Sequence, residues 1–158
     1  MTSINRRFNE LLVKTFNMVL KVEEEAMKNG PFSDLSTTET HTLEAIGIHG
    51  PKTMSEVANV LEVTVPTLTA SVNRLLKKGY VERRRDVADR RVVLISLTKK
   101  GEKAARLHDF FHSKMVDATL GCLTEEEQLV VFRALEKMHS FFYMQKNKIG
   151  NRRGQDGN

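Results

Sequence analysis

The chain has 158 residues and a formal net charge of +5, which is enough sequence for one domain with a hydrophobic core. Its single cysteine, Cys122, excludes an internal disulfide framework. No apolar run is long enough to cross a membrane and the N-terminus has no apolar core typical of a secretory signal, so we expect a cytoplasmic protein without a membrane partner.

The first predicted element is one long helix over about residues 3–28. Its apolar residues recur every three or four positions, in a stripe made of Ile4, Phe8, Leu11, Leu12, Phe16, Met18, Val19 and Val22. Because a small domain core cannot cover such a stripe, we expect this helix to pack against a partner subunit. Gly30 and Pro31 end the helix, and Ser36 and Glu39 form a capping box that begins the next one.

Two short helices separated by a tight turn follow. Thr53 and Glu56 form a capping box for the first of them, while Thr64 caps the second, which has Pro66 in its first turn and ends at Gly79. The buried side of the second helix is predicted to consist of Val65, Leu68, Val72, Leu75 and Leu76. Its outward side holds small, polar or basic residues without a carboxylate: Thr67, Thr69, Ala70, Asn73 and Arg74. Short side chains permit close approach to DNA, and Asn or Arg can bond base edges, so the sequence predicts a helix for the major groove.

A basic β-hairpin is predicted next. The β-branched residues in 80–85 and 92–97 indicate two strands joined by the acidic turn 86–91. Five arginines fall within the nine residues 83–91, around the tip of the hairpin.

The positive charge of the chain is concentrated on this central part. Residues 50–100 carry a net charge of +6, against −2 for residues 1–49 and +1 for residues 101–158. A basic stretch is often only a solvated face, but here it coincides with a helix-turn-helix pattern and a hairpin, where phosphate neutralisation would use it. A purely structural, DNA-compacting protein would instead spread its basic charge over the whole surface.

Two further helices are predicted after the hairpin, over about 99–120 and 124–147. Both carry apolar faces, and residues 150–158 are rich in Gly, Asn and Arg and are expected to be a disordered tail. We therefore predict a single domain over 1–149, with helices at both ends available for dimerisation.

The stretch from 53 to 101 resembles the MarR family of winged helix-turn-helix regulators. The resemblance is carried by Ser55 to Ala58, Thr64 to Leu76, Lys78 to Arg83, Asp89 to Val92 and Leu97 to Gly101. It implies a mainly α fold with a small β-hairpin wing, in which a winged helix-turn-helix domain over about 53–101 is flanked by dimerising terminal helices. It also implies a homodimer that binds double-stranded DNA at a pseudo-palindromic operator.

The expected DNA contacts lie on the second short helix and the hairpin. They are Pro66, Thr67, Thr69, Ala70, Asn73, Arg74, Lys77, Arg84, Asp89, Arg90 and Arg91. The resemblance implies that Arg91 is the wing arginine that enters the minor groove, and that Asp89 is the carboxylate that orients it.

A more specific resemblance concerns the effector. Segments outside the winged motif, Glu39 to Thr42 and Arg106 to His112, are similar to the fatty-acid-synthesis repressors of streptococci and relatives within this family. That subgroup responds to long-chain acyl groups on acyl carrier protein, which strengthen its DNA binding. The implied acyl crevice consists of Phe8, Leu12, Phe16, His41, Ile46, Leu107 and Phe111, although the apolar members of this set could equally be plain core.

Zinc is the alternative effector. His108 and His112 are four residues apart on one predicted helix, so both imidazoles can reach one ion. The zinc-sensing members of the MarR family use a Glu and a His from the first two helices with such a pair, which implies Glu24, His41, His108 and His112 here. In the other interpretation these histidines are hydrogen-bonded polar groups of an interior crevice, so no metal or other cofactor is required.

Catalysis is not expected. The sequence has no Gly-rich phosphate loop, serine elbow or Cys/His pair. His108 and His112 have a zincin-like spacing, but Asp109 stands where that motif needs a Glu as general base.

Overall fold

A computed structural model describes the backbone of residues 2–155 and the side chains of residues 2–148. This part of the chain has six helices and three strands. In chain order they are α1 (Ser3–Lys28), α2 (Thr37–Ile46), β1 (Lys52–Thr53), α3 (Met54–Val60), α4 (Val65–Lys77), β2 (Val81–Arg85), β3 (Val93–Leu97), α5 (Lys99–Leu120) and α6 (Glu125–Gln155). The prediction of a mainly α fold with a small β wing is confirmed.

Each helix begins where a hydroxyl side chain can accept from a free backbone N–H of the first turn. The capping boxes predicted for α2 and α3 are both present, at Ser36 with Glu39 and at Thr53 with Glu56. Thr64 caps α4 with Pro66 in the first turn, where a missing amide hydrogen does no harm. These bonds join residues three apart, so they depend on local sequence alone and are predictable from it.

The three strands form an antiparallel sheet in the order β1-β3-β2. Val81 pairs with Leu97 and Arg85 with Val93, so β2 and β3 form the predicted hairpin. The sequence did not predict β1, a two-residue strand that pairs Lys52 with Ile95. Its length explains the omission, since two residues show no alternation of apolar and polar side chains.

The core lies between α2, α3, α4, the sheet and the first turns of α5. Its fully buried side chains include Leu43, Ile46, Val57, Leu68, Val72, Leu75, Tyr80 and Ile95. Gly101 allows α5 to lie close to this core, because a methyl group there would overlap the backbone carbonyl oxygen of Tyr80. Thr98 begins α5 by accepting a hydrogen bond from the Gly101 amide.

The chain divides into two compact units, 1–111 and 112–158, with α5 running through the boundary. The single domain predicted over 1–149 stays a prediction. Helix α6 continues through Gln155, and the disordered tail predicted over 150–158 stays a prediction. Extending an existing helix is much easier than starting one, so polar residues can continue it. Residues 156–158 lie outside the described part.

Large apolar side chains remain exposed on the terminal helices. On α1 they include Ile4, Phe8, Leu11, Phe16 and Met18, and on α6 they include Leu129, Phe132, Leu135, Phe141 and Phe142. Among the described residues, no helix is both long and apolar enough to cross a membrane. The exposed side chains of α1 and α6 belong to the apolar faces that the sequence predicted on the terminal helices.

Candidate functional site

The exposed face of α4 has the composition that the sequence predicts for a major-groove helix. Pro66, Thr67, Ala70, Asn73, Arg74 and Lys77 are exposed, and Thr69 is half-buried. The helix contains no Asp or Glu, so its outward face offers only neutral and cationic groups. Leu68, Ser71, Val72 and Leu75 are buried on the opposite side, which fixes the direction in which the outer face points.

The second basic group is the β2–β3 hairpin, whose Arg84, Asp89, Arg90 and Arg91 are all exposed. Asp89 accepts a hydrogen bond from the Arg91 amide at 3.0 Å, and its carboxylate is 3.7 Å from the Arg91 Nε. The Arg91 side chain is 95% exposed. Asp89 thus contacts the arginine that it was predicted to orient, while the guanidinium stays open to a ligand.

Arg83 was not predicted as part of this surface. Its Nη2 donates to the Asn73 Oδ1 at 3.2 Å, so strand β2 is joined to the outer face of α4. The bond uses the amide carbonyl of Asn73 and leaves its NH₂ group available as a donor. The sequence offered no signal for this pair beyond the basic character of the strand.

Lys78, which follows α4, is occupied within the protein. Its ammonium donates to Glu39 Oε2 at 2.7 Å and to the Asp34 carbonyl oxygen. Burial opposes ionisation of Glu39, but hydrogen bonds from Lys78 and Ser36 outweigh it and hold the pKa of Glu39 below its usual range. Lys78 is therefore engaged within the protein, whereas the neighbouring Lys77, an expected DNA contact, is exposed.

A second site, away from α4 and the hairpin, is a cluster of one carboxylate and two imidazoles. Glu23 Oε1 is 2.8 Å from His41 Nε2 and 2.9 Å from His108 Nε2. Glu23 and His108 are buried, and the two histidine rings meet edge to face with centroids 5.5 Å apart. The cluster joins α1, α2 and α5, and Glu44 Oε2 lies 3.6 Å from His108 Nδ1.

The structure corrects the carboxylate of the zinc hypothesis. Glu24 is exposed and forms an ion pair with Lys28 at 2.6 Å, whereas Glu23 is the buried neighbour of His41 and His108. One residue along a helix rotates the side chain by about 100°, so adjacent glutamates face different surroundings. The ion pair with Lys28 holds the pKa of Glu24 below its usual range.

The donor types of the cluster suit zinc, since a carboxylate and two imidazoles are common ligands of that ion. Their ligand atoms lie within 4.8 Å of one another. The Glu23 to histidine distances of 2.8 and 2.9 Å are hydrogen-bond distances. Two ligands of one tetrahedral zinc are about 3.3 Å apart, so small rotamer shifts would be needed to admit an ion. His112 lies one helical turn beyond His108 on α5.

The predicted acyl crevice is only partly recognisable. Ile46 is fully buried in the core and His41 belongs to the cluster, whereas Phe8, Phe16 and Leu107 are exposed, and Leu12 and Phe111 are half-buried. A cavity of about 360 Å³ lies instead beside the C-terminal end of α1 and the start of α2. It is lined by Glu24, Met27, Lys28, Ser33, Leu35, Ser36, Thr37 and Thr38, none of which was predicted for the crevice.

Comparison with known proteins places this arrangement in a family. The model of the MarR family matches residues 33–92, which cover α2, the helix-turn-helix and most of the hairpin. The HTH-type transcriptional regulator YwoH of Bacillus subtilis is 30% identical over 137 residues, covering 87% of this chain and 90% of YwoH. The chain belongs to the MarR family.

Solved structures of MarR-type proteins share the fold. FabT of Streptococcus pneumoniae in complex with DNA superposes with a TM-score of 0.84 and 42% identity, over 88% of this chain and 97% of FabT. MepR of S. aureus in complex with DNA superposes with a TM-score of 0.72 over 85% of this chain and 97% of MepR, at 23% identity, which shows the fold alone. As a MarR-type protein the chain is a transcriptional regulator and not an enzyme, in agreement with the sequence prediction.

Proposed function

We propose that this MarR-type regulator is a homodimeric repressor that binds a pseudo-palindromic operator. The observation that carries the proposal is the carboxylate-free outer face of α4 beside the arginine-rich β2–β3 hairpin. The 42% identity to FabT, solved as a complex with DNA, supports it. In this arrangement α4 enters the major groove, and the hairpin places Arg91 at the adjacent minor groove.

Dimerisation follows from the apolar surface of the terminal helices. The side chains of Phe8 and Phe16 on α1, and of Phe132 and Phe141 on α6, are at least half exposed in the single chain. Leaving so many large apolar side chains in water is unfavourable, and a second copy of the chain would cover them. Each subunit then contributes one recognition helix.

The regulated genes that we propose are those of fatty-acid biosynthesis, and the effector is long-chain acyl-acyl carrier protein, which raises operator affinity. The support is the identity to FabT together with the similarity outside the winged motif, in Glu39 to Thr42 and Arg106 to His112. The cavity beside Met27 and Leu35 is one place for an alkyl chain to begin. Each buried methylene contributes about 0.8 kcal/mol, so a long chain can bias an equilibrium between two dimer states.

Zinc is the second candidate effector, favoured by the Glu23, His41 and His108 cluster. Bound there, the ion would link α1, α2 and α5 through one set of ligands, and the sequence adds His112 to that set. A zinc-dependent rise in operator affinity would then require Glu23, His41 and His108. In the acyl hypothesis the same substitutions alter only the shape of the crevice.

Operator titration distinguishes the two effectors. The duplex is one selected by the full-length protein from a random pool, and it is titrated with protein alone, with zinc at sub-micromolar free concentration, and with acyl-acyl carrier protein of several chain lengths. We expect affinity to rise with the long acyl species and to be unchanged by zinc. A rise with zinc alone would support the second candidate.

Glu23→Gln and Glu24→Gln form a matched pair for the zinc candidate. The substitutions are chemically identical and adjacent, but only Glu23 touches the histidines. A zinc response lost in Glu23→Gln and kept in Glu24→Gln would assign the ion to the cluster. A response equal in the two variants would contradict that assignment.

A further inference from the structure

The feature that the proposed function does not use is a buried carboxylate beneath the recognition helix. Glu39 stands in the first turn of α2, and its side chain is 2% exposed. Its Oε2 accepts from the Ser36 amide at 2.9 Å and from Lys78 Nζ at 2.7 Å. Its Oε1 lies 3.3 Å from Arg74 Nε.

Capping α2 does not require this burial. Glu56 holds the same position in the capping box of α3, accepting from the Thr53 amide at 2.7 Å, and it is exposed. A buried carboxylate is unfavourable unless cations and hydrogen-bond donors surround it. Glu39 meets this condition through its two cationic neighbours, Arg74 and Lys78.

Those two cations differ in what they can still bind. Lys78 is about one-third exposed, and its ammonium is shared between Glu39 and the Asp34 carbonyl oxygen. Arg74 is 54% exposed, and its Nε lies 3.3 Å from Glu39 Oε1. An arginine carries further N–H donors on its two terminal amino groups, which this Nε contact does not use.

We propose that Glu39 is a positioning residue that aims the guanidinium of Arg74 at DNA and so contributes to operator specificity. The inference rests on the proposed function, since it takes α4 as the recognition helix. A guanidinium held at one edge keeps its fork in one orientation, which suits bidentate contact with a guanine edge or a phosphate. Holding it in advance also reduces the side-chain entropy lost on binding.

The geometry of the pair in the free protein agrees with this role. Within the described part of the chain, Glu39 Oε1 accepts no hydrogen bond of good geometry. Arg74 therefore interacts with this oxygen only as an ion pair, at 3.3 Å. The ion pair therefore keeps the guanidinium next to Glu39 before DNA binds. When the protein docks on DNA, the Arg74 Nε–H can align with Glu39 while the terminal amino groups of Arg74 contact a guanine edge or a phosphate.

Glu39→Gln tests the proposal, with Glu56→Gln as the matched control. Each substitution removes one negative charge from the third position of a capping-box helix, but only Glu39 faces Arg74. The probes are the duplex selected by the wild-type protein and a mixed-sequence duplex of equal length. We expect Glu39→Gln to bind the selected duplex about tenfold more weakly relative to the mixed one, and Glu56→Gln to keep the wild-type ratio within about twofold.

Arg74→Ala and the double variant Glu39→Gln/Arg74→Ala show whether the effect passes through the arginine. If Glu39 acts by positioning Arg74, its substitution costs no more than about twofold once Arg74 is alanine. Independent losses that multiply in the double variant would overturn the proposal. Equal specificity ratios in Glu39→Gln and Glu56→Gln would also overturn it.

Arg74→Lys provides a second test, which does not require Glu39→Gln to fold. Lysine retains the charge but has neither Nε nor a fork. We expect Arg74→Lys to lose specificity nearly as much as Arg74→Ala, and wild-type specificity in Arg74→Lys would contradict the positioning role. A wild-type protein that selects no sequence would overturn the proposed function and this inference together, whereas the variant outcomes concern the inference alone.

Discussion

At the residue scale, the hairpin shows how a short-range contact prepares a side chain for a ligand. Asp89 lies two residues before Arg91, accepts a hydrogen bond from the Arg91 amide and forms an ion pair with the Arg91 guanidinium. Because the arginine is almost fully exposed, this contact adds little stability to the free protein. We expect the contact to act instead by keeping the Arg91 side chain oriented before DNA binds.

We therefore expect Arg91→Ala to weaken binding to all duplexes and to lower the salt slope by about one counterion, because one phosphate-neutralising charge is lost. Asp89→Ala should also weaken binding, since an unheld arginine loses more entropy on docking. Fluorescence anisotropy from 50 to 300 mM salt, roughly the range in which such slopes are resolved, measures both. Unchanged affinity in Asp89→Ala would show that Asp89 does not support Arg91.

Glu39 also predicts an acid-sensitive contribution to stability. Its pKa is lowered in the folded protein, so the carboxylate stabilises the fold fully above the ordinary value of 4.5. This contribution is lost as the pH falls through the lowered pKa. Glu39→Gln should be less stable than wild type at pH about 7, and the difference should shrink below pH about 4.

Urea unfolding at a fixed protein concentration over that pH range measures the difference. Glu10→Gln, an exposed position on α1, is the control and should follow the wild-type curve. A deficit in Glu39→Gln that stays constant down to the acid limb would rule out the ionised carboxylate as its cause.

At the scale of elements, α2 is the helix against which α4 is held. Thr42 Oγ1 donates to the Thr38 carbonyl oxygen at 2.8 Å, so in the buried 2.9 Å contact between the Thr42 and Ser71 hydroxyls Ser71 is the donor. A buried hydroxyl left without its partner costs more than the bond itself contributes. The same helix carries His41 of the cluster.

We expect Thr42→Val and Ser71→Ala each to lower the free energy of unfolding by about 1–2 kcal/mol. The double variant should lose less than the two single losses together, because either single variant already removes the hydrogen bond between the two hydroxyls. Urea denaturation of the wild type, the two single variants and the double variant gives the free energies of unfolding for a double-mutant cycle. Strict additivity would mean that the two hydroxyls do not interact in solution.

At the scale of the whole molecule, two features favour a dimer. They are the exposed apolar faces of α1 and α6 and the presence of one expected recognition helix per chain. A monomer leaves those faces in water and reads only half of a symmetric site. Two-fold related α4 helices would lie about 34 Å apart, roughly one turn of duplex. Sedimentation and footprinting should therefore show a stable dimer that protects two half-sites.

Phe132→Glu, on α6, places a charge in the expected interface and should shift sedimentation towards the monomer and weaken operator binding together. Arg133→Gln, at the next position, changes the net charge by the same −1 and controls for the change in charge. A wild-type monomer that protects one half-site would contradict the dimer.

Much of the fold was predictable because its causes are local. The starts of α2, α3 and α4 depend on capping hydroxyls that were read from the sequence, at Ser36, Thr53 and Thr64. The hairpin and the outer face of α4 likewise follow from periodicity within a dozen residues. The family resemblance then extended this local pattern to a fold and a transcriptional role, which the comparisons confirm.

The candidate sites depended on contacts that no local pattern encodes. Glu23 reaches His108 across 85 residues of chain, and among three consecutive glutamates only the packing of α1 decides which one turns inward. Lys78 donates a hydrogen bond to Glu39, 39 residues earlier, and no local pattern predicts that pair. The sequence by itself determined which elements form and which faces are basic or apolar, since hydrogen bonding and burial act there over a few residues. Only the tertiary structure decided which charged side chains meet, because one residue of helix rotation changes the partner.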